Sequence, residues 1–322
     1  MNKSLKIVFF GTPDFAVASL DAVLKEGWNI VGVITAPDRK SGRGQNVNFS
    51  AVKVFALKHK LLLLQPRNLK DPVFIAQLKA LKADLHIVVA FRMLPEVVWK
   101  MPKHGTFNLH ASLLPAYRGA APINWAIING ENTSGVTTFF LKHEIDTGNI
   151  AFQEKVTISN EDNAGSLHDK LMLVGSKLVL KTLEALNNNT LTLKAQEDYT
   201  QDAPAIPKAP KIFRNDCQID WFLPANEVYN KIRGLSPYPG AWTSIQVKEG
   251  DKCMDLKIYK SAITKEKVKN NASAILKIDE KRIFVSTGDY WLELIELQLQ
   301  GKKRMNSIEL LNGFALEQFK IQ

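Results

Sequence analysis

Short apolar runs alternate with amphipathic stretches along the first 190 residues. Residues 5–10 (Leu-Lys-Ile-Val-Phe-Phe) end at Gly11, and Pro13 and Asp14 open a helical spacing that runs to about Lys25. A second run follows at 30–34 (Ile-Val-Gly-Val-Ile) and a third at 61–64, flanked by helical patterns. A fourth, 85–90 (Leu-His-Ile-Val-Val-Ala), is apolar apart from His86 and has the look of a buried strand. Strands alternating with helices predict βαβ units in a doubly wound, mostly parallel sheet, a Rossmann-like α/β domain. Further strands are expected at 107–112, 135–142 and 149–158. Apolar positions at helical spacing from Leu167 to Leu186 then predict a long helix over 163–187, stopped by Asn187-Asn-Asn-Thr190.

The pattern weakens after that, and Pro204, Pro207 and Pro210 cluster. We read 191–210 as a linker. Beyond a short helical pattern at 225–233, short β-like runs recur at 242–247, 254–261, 273–278, 282–286 and 290–299, which predict a small OB-like barrel. The expected domains are therefore a catalytic domain at 1–190, the linker, and a C-terminal β-barrel at 211–322. A chain of 322 residues is long for one core, in keeping with two domains.

Charge sharpens this picture. The chain carries a formal +10, of which +5 falls on residues 208–322 and +5 on the longer 1–207. The shorter C-terminal part is the denser in positive charge and favours a polyanionic partner. Two cysteines, Cys217 and Cys253, have no metal-ligand spacing, so a reducing, cytoplasmic compartment without metal is expected. No run approaches the ~18 apolar residues of a membrane span.

The candidate chemistry lies at 107–119, Phe-Asn-Leu-His-Ala-Ser-Leu-Leu-Pro-Ala-Tyr-Arg-Gly, with Asp146-Thr-Gly148 downstream. Side chains alternate on a strand, so Asn108 and His110 share one face while Phe107 and Leu109 share the other. A polar pair on an apolar strand is costly without partners, and here the strand runs into a Pro- and Gly-containing loop. That is the usual place to handle a ligand, at the carboxyl end of a strand in an open α/β sheet. The Gly11-Thr-Pro-Asp14 turn lacks the further glycines of a dinucleotide fingerprint, which argues against a nucleotide-dependent dehydrogenase.

This string closely resembles the signature of the formyltransferases that use 10-formyltetrahydrofolate. The resemblance implies that Asn108, His110 and Asp146 are the catalytic trio. Such a transfer passes through an oxyanion, for which Asn108 offers an amide donor, His110 a proton carrier and Asp146 a carboxylate. The family also implies a folate pocket lined by Ser112, Leu113, Leu114 and Pro115, and by the strand exit Val88, Val89, Ala90 and Phe91. At Arg92 and Met93 the chain departs from many relatives, which carry Ala-Tyr-Gly and one further residue.

Other marks point to the acceptor. The opening Gly11-Thr-Pro-Asp-Phe15 is similar to that of members acting on methionyl-initiator tRNA. The basic loop 35–44 (Thr-Ala-Pro-Asp-Arg-Lys-Ser-Gly-Arg-Gly) carries Arg39, Lys40 and Arg43, which can meet phosphates. In the family this insertion reaches the acceptor end of the tRNA, which implies that role for Arg43 above all. Lys302, Lys303 and Arg304 add a basic footprint to the barrel. Rival readings keep the chemistry but change the acceptor to a nucleotide-sugar amine, a purine precursor or water, or discard catalysis for plain RNA binding. The site is self-contained on one chain, so a monomer is expected.

Overall fold

The computed structural model describes residues 3–41, 46–199, 206–247, 251, 253–269 and 274–321. The chain divides into two compact units, one of Met1–Gly119, Ser134–Thr157 and His168–Lys208, the other of Ala120–Thr133, Ile158–Leu167 and Ala209–Gln322. The division does not follow a single cut. Two short stretches of the first half belong with the C-terminal unit.

The first unit is built on a seven-stranded sheet in the order Ile150–Thr157, Thr133–Phe140, Thr106–His110, Leu85–Val89, Lys6–Gly11, Asn29–Ile34, Leu63–Leu64. Neighbours from Thr106–His110 through to Leu63–Leu64 pair in parallel, and Thr106–His110 pairs antiparallel with Thr133–Phe140. The order reverses between Lys6–Gly11 and Leu85–Val89, the point at which such sheets open a crevice. The mostly parallel α/β sheet expected from the alternating runs is therefore present.

Burial explains these strands. Ile7, Val8, Phe9 and Phe10 are all fully buried, as is every residue of Leu85–Val89 to within a few per cent. The helices Asp14–Lys25, Ala51–Lys58 and Pro72–Ala80 supply the crossovers. Ser50 and Asp71 cap the latter two through side-chain oxygens that accept from Lys53 and Val73 backbone N–H groups. The long helix Ala164–Asn187 is where its periodicity placed it. Gly175 lets it close on the sheet, because a Cβ there would sit 2.8 Å from the Leu109 side chain.

The second unit is a nearly closed antiparallel, barrel-like sheet in the order Leu276–Asp279, Arg282–Ser286, Tyr290–Leu299, Cys253–Lys267, Ala241–Val247, Phe319–Ile321. Its first and last strands in that order lie beside each other. Alternating Ile245, Leu256, Ile258, Ile283, Val285, Leu292, Leu294 and Leu297 fill the interior. The 254–261 run proves to be part of one long strand, Cys253–Lys267, with register shifts that bend it around the core. The helix Ser307–Gly313 and the closing strand Phe319–Ile321 were not anticipated. Both are short, although the Asn306/Glu309 capping box is a readable signal for the first.

Candidate active site

Leu109 turns toward the long helix, so its neighbours Asn108 and His110 occupy the opposite face at the carboxyl end of Thr106–His110. His110 is buried, and its Nε2 lies 2.9 Å from the carbonyl oxygen of Tyr117. A carbonyl only accepts, so the neutral ring carries its proton on Nε2 and leaves Nδ1 with a free lone pair. Nδ1 faces Asp146 Oδ2 at 3.9 Å. That is an ion-pair distance once Nδ1 takes up a proton, and too long for a standing hydrogen bond.

Asp146 reaches this position through an unusual backbone. Its φ is +55°, a left-handed conformation that Asp tolerates better than most residues. Gly119 donates its N–H to Oδ2 at 3.0 Å, which anchors the carboxylate. The third residue of the Asp-Thr-Gly turn must be glycine, since a Cβ on Gly148 would lie 1.6 Å from the Phe140 carbonyl oxygen. The turn thus folds tightly onto the end of Thr133–Phe140, and sequence spacing alone could not have shown that closeness.

Asn108 completes the cluster. Its Oδ1 is buried and has no hydrogen-bond partner among the described residues. An unmet buried amide oxygen costs about 1–3 kcal/mol. A bound molecule with a polar edge would meet that need, and an amide can present either end to it.

The loop that follows is tied down by its own polar groups. Ser112 donates through its hydroxyl to the Ala116 carbonyl at 2.6 Å, and its own carbonyl accepts from Thr137 Oγ1 at 2.6 Å. Leu114 donates its N–H to Thr137 Oγ1 at 3.1 Å, while Gln153 donates to the Leu114 carbonyl at 2.7 Å. Ser112, Leu114 and Pro115 are buried and Leu113 is half-buried. Val88 and Val89 put their side chains into the core, so only their main chain is left for a ligand. Ala90, at φ +47°, is exposed, and Phe91 is half-buried against Phe10.

Two clefts flank this rim. One of about 340 Å³ is lined by Thr12, Ala36, Pro37, Phe49, Phe91 and Arg92. Arg92 donates to the carbonyls of Pro66 and Arg67, while Met93 is exposed. The other, of about 350 Å³, is lined by Pro115, Arg118, Gly119, Ile145, Thr147 and Lys208. Among the described residues no group of His, Cys, Asp and Glu could hold a metal ion, and no helix is long and apolar enough to cross a membrane.

Of the basic residues, part lie outside the described residues and part belong to the second unit. The backbone of Arg39–Ser41 pairs antiparallel with Asn46–Asn48, so this part of the 35–44 stretch is strand. The Arg39 and Lys40 side chains, and Arg43 altogether, lie outside the described residues. In the second unit Lys302, Lys303 and Arg304 are exposed on a turn. Arg304 is engaged by Glu296 in a two-pronged pair at 2.6 and 2.5 Å and lies over the Tyr259 ring. The residue that sequence reasoning missed is Gln196, which is buried beside Asp146 inside the stretch read as a linker.

Comparison with known proteins gives the family. The family model described as formyl transferase matches residues 5–183, and that described as formyl transferase, C-terminal domain, matches residues 211–315. A methionyl-tRNA formyltransferase of Bacteroides thetaiotaomicron is 52% identical over 315 residues, covering 98% of this chain and 97% of that protein. One from Flavobacterium johnsoniae is 50% identical over 311 residues, covering 97% and 96%. The crystal structure of an N-formyltransferase from Helicobacter canadensis, in complex with folinic acid and dTDP-3-aminofucose, superposes with a TM-score of 0.65 over 90% of this chain and 98% of that one. At 22% identity that likeness is one of fold. With both of its parts matched by the family's models and half its residues shared with full-length relatives, the chain belongs to the formyl transferase family.

Proposed function

We propose that this protein transfers the formyl group of 10-formyltetrahydrofolate to the α-amino group of methionyl-initiator tRNA, and that it does so as a monomer. The observation that carries the choice of acceptor is full-length kinship: a protein named methionyl-tRNA formyltransferase matches 98% of the chain at 52% identity, the C-terminal barrel included. The basic composition is in keeping with a polyanionic substrate.

The chemistry follows from the rim. The folate donor, when bound, supplies a formyl carbon on a nitrogen that can leave. Asn108 directs its amide at the formyl oxygen and stabilises the negative charge that develops there as the amine adds. His110 accepts the amine's proton on Nδ1, the nitrogen left free by the Tyr117 carbonyl. Asp146, 3.9 Å away, balances the imidazolium so formed. The same proton then passes from His110 to the departing folate nitrogen, so one carbon–nitrogen bond forms, another breaks, and His110 ends as it began. No covalent enzyme intermediate is needed. Val88, Val89, Ala90 and Phe91 offer main chain to the flat heterocycle, and Ser112, Leu113, Leu114 and Pro115 form the opposite wall. Arg39, Lys40 and Arg43, with Lys302, Lys303 and Arg304, contact the tRNA.

The deciding experiment mixes the protein with 10-formyltetrahydrofolate and charged initiator tRNA and follows tetrahydrofolate release and formylmethionine. Release that needs the charged tRNA supports the reading. Release with an amino-sugar nucleotide or with water alone, and none with the tRNA, would assign a different acceptor.

A further inference from the structure

Gln196 opens the single turn Gln196–Tyr199 and is fully buried, in a stretch whose sequence looks like a linker. Its amide nitrogen donates to the carbonyl oxygens of Asp146 and Gly148, each at 2.8 Å. Its amide oxygen accepts from Arg118 twice, from Nε at 3.0 Å and from an Nη at 2.6 Å. A primary amide has two protons to give and two lone pairs to receive on, and here all four are engaged. Gly119, the residue after Arg118, closes the circuit with its N–H on Asp146 Oδ2. A ring of polar contacts therefore runs from the Arg118 guanidinium through Gln196 to the 146–148 turn, across the Asp146 carboxylate and back along the chain.

We propose that Gln196 is a positioning residue for catalysis, holding the Asp146 carboxylate opposite His110 by fixing the main chain of the 146–148 turn, and that Arg118 acts through it. This rests on the reading that Asp146 balances the His110 imidazolium. The left-handed backbone of Asp146 is the reason a clamp is needed, since relaxing φ from +55° would swing the carboxylate away from the ring. The chemistry demands glutamine. Asparagine is one methylene too short to span Arg118 and two carbonyls. Glutamate would set a carboxylate oxygen against both carbonyls. Arg118's charge on the amide oxygen polarises the group and strengthens its N–H donors.

A fastening that merely stabilised the fold would also cost activity, so the test separates the two by coupling. Single-turnover formylation is measured at saturating 10-formyltetrahydrofolate and methionyl-tRNA for the wild type, Gln196→Met, Asp146→Asn and the double variant. Gln196→Met is expected to slow transfer about 30- to 100-fold while leaving both KM values within about threefold, an effect acting at the chemical step. The double variant is expected to be no slower than Asp146→Asn alone, because the clamp has nothing left to position. Gln196→Glu keeps the side chain's size and its contact with Arg118, so it reports the loss of the donor should the Met variant fail to fold. Losses that multiply in the double variant, or a wild-type rate in either Gln196 variant, would overturn the proposal. A wild-type protein that formylates no tRNA would instead remove the reading beneath it.

Discussion

The rim of the parallel sheet and the outer surface of the barrel both carry polar residues, but they hold them in opposite ways. At the rim Asn108, His110, Asp146 and Gln196 are largely shielded from water, and the last three are fixed by main-chain contacts. On the barrel Lys302, Lys303 and Arg304 stand in solvent, and Arg304 is occupied by Glu296. Buried groups act through geometry, so displacing one by an ångström costs rate. Exposed charges act through summed attraction to phosphates, so each is worth little and salt weakens them all. The difference predicts large, salt-independent rate effects at the rim and small, salt-dependent affinity effects on the barrel.

The largest effect should come from Asp146→Asn, which preserves shape and the left-handed turn but removes the charge. We expect the rate of formyl transfer to fall about 10³-fold at any salt concentration, measured by single turnover. A loss that disappears in high salt would place Asp146 with the barrel lysines instead.

Gly148→Ala should come next. Its Cβ would overlap the Phe140 carbonyl, so the turn must open, and we expect a loss of about 3 kcal/mol in urea unfolding together with most of the activity. A wild-type unfolding curve would mean that the turn is not packed as described.

A third effect concerns a buried histidine that takes no part in the chemistry. His86 is enclosed in the strand Leu85–Val89 with its ring 5.2 Å from that of Phe10, and burial pushes its pKa down from the ordinary 6.5 to about 4. Between those values the unfolded chain binds a proton that the folded chain refuses, so stability is complete above pH 6.5 and falls as the pH drops toward 4. The loss should be about 2 kcal/mol between pH 7 and pH 5, read from urea melts, and His86→Met should remove that part of the slope. Identical slopes in the two proteins would show that His86 is free to protonate when folded.

The smallest effect belongs to the barrel. Replacing Lys302 and Lys303 together by alanine should weaken tRNA binding about five- to tenfold at low salt and flatten its salt dependence by roughly one to two counterions, without touching the single-turnover rate. A rate effect at saturating tRNA would break the division between the two regions.

How far the sequence reveals this molecule follows the same division. Strands such as 85–90 and the helix 163–187 are written in apolar periodicity, because burial selects residue type directly. Asn108 and His110 stand out for the converse reason, as polar residues where an apolar strand meets a loop. What stays hidden is contact at a distance. Nothing local marks Gln196 as the partner of Asp146, 50 positions away, and the prolines after it give its neighbourhood the look of a tether. The steric demand on Gly148 is equally silent, since it comes from the Phe140 carbonyl meeting the turn in space. The lone pair on His110 Nδ1 depends on where the Tyr117 carbonyl lies, which no spacing rule supplies.

The central claim is that the rim transfers a formyl group through His110 while the tRNA is held elsewhere. The most direct measurement pairs the single-turnover rate of His110→Ala with its Kd for methionyl-initiator tRNA. The account predicts a rate reduced by about 10³-fold or more with a Kd within threefold of the wild type. A variant that binds as poorly as it reacts, or one that reacts at the wild-type rate, would contradict it.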